Sequence, residues 1–404
     1  MNLGYRITAL FALAAAALGL AACGGSGDDS SSTGNSAGTI KIMAMGPIEA
    51  PQFSLESIKV GAEAAVDEIN ADGGVNGKQI DLIVCNDGND TNKAVACARE
   101  AIKEEVAAMV GGYTLFEPQV VPLIEAAGIP WIGPTAIQNS TSKSYYLLGG
   151  EGATLAFSMG LYLDERGCKQ SVAIGENLPT VKPAAALFNL GVEAGGGTPG
   201  EPVYGAENAA DWAPFVAAAT GSGADCISIL TSPTNAPKIV SAAAQSGESI
   251  TTIAPLSVLP AESVEALGKT AEGVILVSGY LPYSAQTPAI KRLEAEAKKI
   301  SAEVPLDSVL ESTYAATKLF ADVAEGEGEV DAQNTAAALS KLKHYDTELG
   351  PVVDFTAANP TTTFSRVTNT KVFVLEVKNG EIVLAQKQPL DTMPAFEALA
   401  EAGK

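Results

Sequence analysis

From Thr39 onward the chain alternates short apolar runs with longer stretches in which apolar residues recur at helical spacing. TIKIMAMGP (39–47) reads as a strand broken at Gly46-Pro47, and LESIKVGAEAAVDEINADGG (55–74) as a helix stopped by Gly73-Gly74. Strand KQIDLIVCNDGND (78–90), helix TNKAVACAREAIKEE (91–105), strand VAAMVGGY (106–113), helix EPQVVPLIEAAG (117–128) and strand IPWIGPT (129–135) continue the alternation. The order then restarts. Strands at 169–177, 201–205, 224–232 and 250–257 are separated by helices at 182–196, 209–223 and 236–247. GVILVSGYLPY (273–283) is a strand leaving this second series, and DSVLESTYAATKLFADVAEG (307–326) and NTAAALSKLK (334–343) are helices. TKVFVLEVKNGEIVLAQ (370–386) is a hairpin turned at Asn379-Gly380. Alternating strands and helices with short links predict parallel β-α-β units, hence an α/β chain of two similarly built lobes.

The residues before Thr39 follow another pattern. After Arg6, Ile7 to Ala22 carry no charge, and the run stops at Cys23 before a Gly/Ser/Asp stretch reaching Gly38. About fifteen apolar residues are short for a membrane span, and small residues at the end mark a secretory leader. Leu20-Ala21-Ala22-Cys23 resembles a bacterial lipobox, in which the cysteine is lipidated and becomes the new N-terminus. The expectation is a leader over 1–22, lipidation at Cys23 and a flexible tether over 23–38. The alternative is an ordinary leader with an incidental cysteine. No later apolar run is long enough to span a bilayer.

Length and composition add bounds. The 404 residues, less leader and tether, suffice for two lobes, and 47% hydrophobic with 6% aromatic content predicts a core of Ala, Val, Ile and Leu. A formal charge of −22 argues against nucleic acid as a partner. Beyond Cys23 there remain Cys85, Cys97, Cys168 and Cys226, an even number in a chain bearing a secretory leader. Three pairings are open. Cys85–Cys97 and Cys168–Cys226 are favoured, because Cys85 ends a strand whose following helix carries Cys97, and because Cys168 and Cys226 adjoin strands that are neighbours in a 2-1-3 sheet. The single histidine, His344, stands apart from any serine elbow and is read as a surface or hinge residue. No phosphate-cradling glycine loop occurs at a strand-to-helix turn, so neither an enzyme nor a cofactor or metal is expected.

INADGGVNGKQIDLIVCND (69–87), VPLIEAAGIPWIGPT (121–135), TYAATKLFADVA (313–324) and HYDTELGPVVDFTAANPTTTFSRVTNTKVFVLEVKNGEI (344–382) resemble the branched-chain amino-acid type of periplasmic binding protein. Their order over residues 39–390 carries the resemblance. It implies the type I periplasmic binding protein fold: two doubly wound parallel-sheet lobes joined by three crossover strands near 149–153, 278–283 and 348–354. Lobe 1 would comprise 39–150 plus 281–350, and lobe 2 151–280 plus 351–404. The implied function is a monomeric solute-binding lipoprotein that closes over a small molecule and delivers it to ABC permease subunits. The implied place is the outer face of the cytoplasmic membrane. A sensor that presents its closed form to a membrane receptor is the alternative.

Ligands of such folds lie outside the carboxyl ends of the strands. The candidate set is Phe53, Tyr113, Thr114, Leu115, Phe116, Thr135, Ala136, Ile137, Thr180, Ser232, Leu256 and Tyr280. GGYTLF (111–116) precedes a helix, so its backbone N–H groups are candidates to hold a carboxylate or another acceptor. The amino-acid-binding relatives place a serine at the position of Leu115, a threonine at that of Ile137, a tyrosine near Ser232 and an acid near Leu256. All four differ here, while Glu49, Glu117 and Glu176 stand on neighbouring loops. The expected ligand is therefore a small amphiphile, either an amino acid or related metabolite. In its preferred form it is uncharged or carries one carboxylate.

Overall fold

The computed structural model describes residues 38–50, 54–135, 141–150, 152–179 and 181–403. The expectations placed on the leader, the tether, Cys23, Phe53, Ala136, Ile137 and Thr180 lie outside them, apart from Gly38 at the tether's end.

The first sheet is built from β1 (Ile40–Gly46), β2 (Ile80–Asn86), β3 (Ala108–Val110), β4 (Trp131–Ile132) and β5 (Tyr145–Tyr146). All neighbours are parallel, in the order β2-β1-β3-β4-β5. β1 is buried almost throughout, as a central strand covered on both faces must be. Its connections are α1 (Glu56–Ala71), α2 (Thr91–Lys103) and α3 (Glu117–Ala126). Asp90 caps α2 by accepting from the N–H groups of Asn92 and Lys93.

The second sheet follows α4 (Gly152–Glu165) and contains β6 (Ser171–Glu176), β7 (Val203–Gly205), β8 (Cys226–Leu230), β9 (Thr251–Pro255) and β10 (Ile275–Ser278). Between them run α5 (Val181–Gly195), α6 (Ala213–Gly221), α7 (Ala236–Gln245) and α8 (Ala261–Leu267). The chain then forms α9 (Pro288–Ile300), α10 (Ser308–Ala324) and α11 (Ala332–Leu339). It ends with β11 (Lys371–Lys378), β12 (Glu381–Leu384), β13 (Leu390–Asp391) and α12 (Met393–Ala402). The strand order is β12-β11-β10-β9-β8-β6-β7, parallel except for the added hairpin, with β13 pairing β11.

Helices α9 to α11 follow the second sheet in sequence but pack on the first. Gly61 of α1 lies so close to α10 that a Cβ there would sit 2.8 Å from the Leu310 carbonyl oxygen. Tyr314 and Lys318 of α10 both donate to Glu68 of α1. The chain passes between the sheets at three places that touch one another. A Cβ on Gly150 would stand 2.3 Å from Gly279 Cα, one on Gly350 would stand 3.2 Å from Gly279 O, and Leu281 N–H donates to Leu349 O at 2.8 Å. Gly150 also has a φ of +69°, a conformation that disfavours any side chain.

Cys85 is bonded to Cys97, and Cys168 to Cys226. β6 and β8 are neighbours, with Ser171 opposite Cys226, which brings the second pair together. Several elements escaped the periodicity reading. β5 and β13 have two residues each, too few to show alternation. α4 buries ten residues around its circumference, so it has no polar face to set the helical period. Helix α12 closes the second lobe by stacking Phe396 edge-on against Phe157, 4.8 Å between ring centroids.

Candidate functional site

The carboxyl ends of the parallel strands in both sheets lead into loops that carry the candidate residues. In the first lobe the loop after β3 turns through Gly111 and Gly112, with φ of +54° and +83°. A Cβ on Gly112 would lie 2.3 Å from Met45 O, so glycine is required for this loop to approach β1. Its N–H groups are largely engaged inside the lobe. Gly111 donates to Ile132 O, Gly112 to Thr313 Oγ1, Tyr113 to Met45 O, and Phe116 to Thr114 Oγ1. Thr114 is buried, and its hydroxyl donates to Asp87 Oδ2 at 2.8 Å. Asp87 is fully buried at the end of β2 and also accepts from Asn89 N–H; burial raises its pKa, against the lowering effect of those two hydrogen bonds.

Glu117 opens α3, is 2% exposed, and accepts from the Tyr145 hydroxyl at 3.1 Å. Pro118 follows it and has no N–H to offer. The positive end of α3 thus already carries a carboxylate of the protein itself. Tyr113 stands beside both acids. Its phenol is pushed up to about 12, chiefly by burial and further by the charges of Glu117 and Asp87. Leu115 is 47% exposed, and Phe116 is half-buried.

In the second lobe Glu176 ends β6 and is buried. Its Oε1 accepts from Ser232 N–H at 3.1 Å, Ser232 Oγ at 2.7 Å and Asn235 Nδ2 at 2.7 Å. Ser232 and Glu176 therefore form one internal cluster that fixes the loop after β8. Glu49 is exposed, with its backbone tied to the Asn86 side chain.

Thr135, Leu256 and Tyr280 meet around a small hollow of about 40 Å³ beside the three crossovers. Both lobes line it: Thr135, Ser308 and Ser312 from the first, Leu155, Leu256, Ser257, Val277 and Ser278 from the second. The lining is hydroxyl-bearing and aliphatic, with no charged side chain. At that size it is far smaller than the pocket of a metabolite, typically about 300 Å³ or more. It is the floor of an interlobe cleft. A larger hollow of about 350 Å³ lies wholly on the first lobe, among α9, α10 and residues 345–349. Of its charged groups, Arg292 pairs with Glu348, Lys318 pairs with Glu68 of α1, which does not line the hollow, and Asp322 accepts from the Tyr345 hydroxyl.

The structure thus groups the predicted residues into three sets: Tyr113 to Phe116 at the α3 start, Ser232 with Glu176, and Thr135, Leu256 and Tyr280 at the floor. Sequence reasoning missed Asp87, although the strand-end rule applied to β2 points to it. It also missed Ser308 and Ser312, which carry no local signal because they reach the floor from a helix that folds back onto the first lobe.

Two α/β lobes joined by three touching crossovers, with residues of both lobes lining one small hollow, give the architecture of a two-lobe binding protein. A profile of the periplasmic binding protein family matches residues 39–381, and the chain belongs to that family, one of solute-binding proteins rather than enzymes. A leucine-, isoleucine-, valine-, threonine- and alanine-binding protein of Pseudomonas aeruginosa is 33% identical over 115 residues, 28% of this chain and 31% of that protein. The match thus spans less than a third of that relative's length. Among solved structures, a solute-binding protein of an R. palustris ABC transporter in complex with 4-hydroxybenzoate has a TM-score of 0.72 at 20% identity. The match covers 89% of this chain and 99% of that one. A fatty acid ABC transporter substrate-binding protein from Thermomonospora curvata has a TM-score of 0.71 at 20% identity, covering 88% and 93%. At such identities these likenesses concern the fold. Among the described residues, no helix is long and apolar enough to cross a membrane.

Proposed function

We propose that the chain is the extracytoplasmic solute-binding component of a branched-chain amino-acid-type ABC importer. It is lipidated at Cys23, tethered through residues 24–38 to the outer face of the cytoplasmic membrane, and presents its closed form to permease subunits. The lobes are 39–150 plus 281–350 and 151–280 plus 351–404. The observation that carries this reading is the floor where both lobes and all three crossovers meet. A ligand touching both walls stabilises the closed arrangement through contacts that the open one lacks.

The solute is a small amphiphile. Leu155, Leu256 and Val277 offer an apolar surface, and Thr135, Ser257 and Tyr280 offer hydroxyls, with no charged group on the floor. An α-amino acid would bring two charges into the cleft, and each needs a partner, because an unpaired buried charge costs several kcal/mol. Phe53, Tyr113, Thr114, Leu115, Phe116, Ala136, Ile137, Thr180 and Ser232 complete the proposed walls.

The test is a thermal-shift screen over solute classes followed by small-angle scattering. A ligand at a hundred times its dissociation constant stabilises by about 2.7 kcal/mol and should reduce the radius of gyration. An unchanged scattering profile at saturation with a verified ligand refutes a closing clamp.

A further inference from the structure

The larger hollow, about 350 Å³ on the first lobe, takes no part in the cleft, and its volume is that of a small-metabolite pocket. α9 supplies Arg292 to its lining, α10 supplies Tyr314, Lys318 and Asp322, and the segment 345–349 forms the third side. That segment is held in one shape. Glu348 N–H donates to Asp346 Oδ1 at 2.8 Å, Gly350 N–H donates to Thr347 Oγ1 at 2.9 Å, and Tyr345 and Val353 exchange backbone hydrogen bonds.

The lining is polar and offers donors and acceptors side by side. Arg292 pairs with Glu348, and Lys318 with Glu68 at 3.1 Å. Asp322 accepts from the Tyr345 hydroxyl. Burial raises the Tyr345 pKa, and the hydrogen bond to Asp322 and the charges of Asp322, Glu348 and Asp346 raise it further, so three carboxylates stand around one phenol. Asp322 and Asp346 are exposed and, among the described residues, form no ion pair.

We propose that this hollow is a second binding site, separate from the cleft, for a polyhydroxylated molecule without negative charge, of the size of a mono- or disaccharide. A hydroxyl carries one donor and two acceptor positions. Neighbouring hydroxyls therefore accept from Arg292 and donate to Glu348 without separating the pair, and others donate to Asp322 and Asp346. Hydrogen bonds to ionised groups are about twice as strong as neutral ones. An apolar ligand would strip water from these groups and return no partner, at about 1–3 kcal/mol for each. An anion fares worse, because it must draw Arg292 or Lys318 from its carboxylate and also face Asp322 and Asp346. A carboxylate about 5 Å from either acid, at an effective dielectric constant of about 40, loses roughly tenfold in affinity.

The test is calorimetry with two matched sets, glucose, glucosamine and glucuronate, and galactose, galactosamine and galacturonate, together with trehalose and myo-inositol. Each is titrated into the wild type and into the double variant D322N/D346N. Asparagine keeps an acceptor for the Tyr345 hydroxyl and for the Glu348 N–H, and circular dichroism checks the fold; D346N alone serves if the double variant does not fold. The expected result is that at least one neutral or amino sugar binds the wild type with a Kd below about 10 mM. Its uronate binds at least tenfold more weakly. In the variant the sugar loses about tenfold, and its advantage over the uronate falls to about threefold or less. Absence of binding by every probe overturns the site, and a uronate that binds as tightly as its neutral sugar overturns the ligand class. A sugar bound equally by wild type and variant lies elsewhere, which also overturns the site. Each of these outcomes leaves the cleft reading untouched, since no residue of the cleft floor is altered.

Discussion

Replacing Gly150 by alanine tests whether the three crossovers form one tightly packed joint. Gly150 has a φ of +69°, where an L side chain costs about 1–2 kcal/mol. The added Cβ would also stand 2.3 Å from Gly279 Cα and 2.7 Å from Gly279 N. These are backbone atoms of the second crossover, so no flexible side chain can move aside. Overpacking of this kind costs a further ~1–3 kcal/mol, for a total of about 2–5 kcal/mol. Gly152, two residues on at the start of α4, is the internal control. A Cβ there meets nothing within 4 Å, so Gly152→Ala should change stability by less than about 0.5 kcal/mol. An unfolding entropy of about 2.1 cal/mol/K per residue over the unit Ala37–Lys404 corresponds to about 0.8 kcal/mol per degree. Differential scanning calorimetry should therefore show Gly150→Ala melting about 3–6 °C below the wild type, with Gly152→Ala beside it. Equal melting temperatures for the two variants would refute the close approach of the crossovers.

Three further outcomes follow from particular contacts. Paired Cys→Ala replacement should cost about 4 kcal/mol for Cys168–Cys226, which closes a 58-residue separation, and about 3 kcal/mol for Cys85–Cys97, which closes 12; urea denaturation of the two double variants gives the order, and a reversed order refutes the loop argument. Glu176→Ala removes the acceptor of two Ser232 groups and of Asn235 Nδ2 and should destabilise by about 2–4 kcal/mol; an unchanged urea midpoint would mean that the cluster does not hold the loop after β8. Glu311 is buried in α10 with Oε1 unpartnered, and burial, with Asp307 adding to it, holds its pKa well above the ordinary 4.5. A carboxyl raised in the folded state favours folding below its unfolded pKa and loses that contribution as pH rises toward the folded value. Glu311→Gln should therefore match the wild type near pH 4 and exceed it in stability at neutral pH, and urea denaturation at both pH values that gave the opposite trend would contradict this assignment.

Much of the fold was legible because its signals are local. Alternation of strand and helix, Gly-Gly stops and the Asn379-Gly380 turn depend on residues a few positions apart, and the parallel sheets follow from them. The candidate site was legible as a set of loops, through the rule that ligands lie beyond strand carboxyl ends. The condition of each side chain in those loops was not. Thr114 looks like a free hydroxyl in GGYTLF, yet its proton is directed to Asp87, 27 positions earlier. Glu176 looks like a spare carboxylate, yet it gathers donors from a loop more than fifty positions later.

The sequence by itself determined the α/β class, the repeated order of elements and the neighbourhood of each cysteine pair, since short-range periodicity and strand order suffice for these. Only the tertiary structure decided that Ser308 and Ser312 of α10 reach the floor between the lobes, and that the Glu117 side chain is buried against the Tyr145 hydroxyl. The physical reason is range. Backbone preference acts over a few residues, whereas hydrogen bonds and charges depend on distances that exist only once segments remote in sequence have packed together.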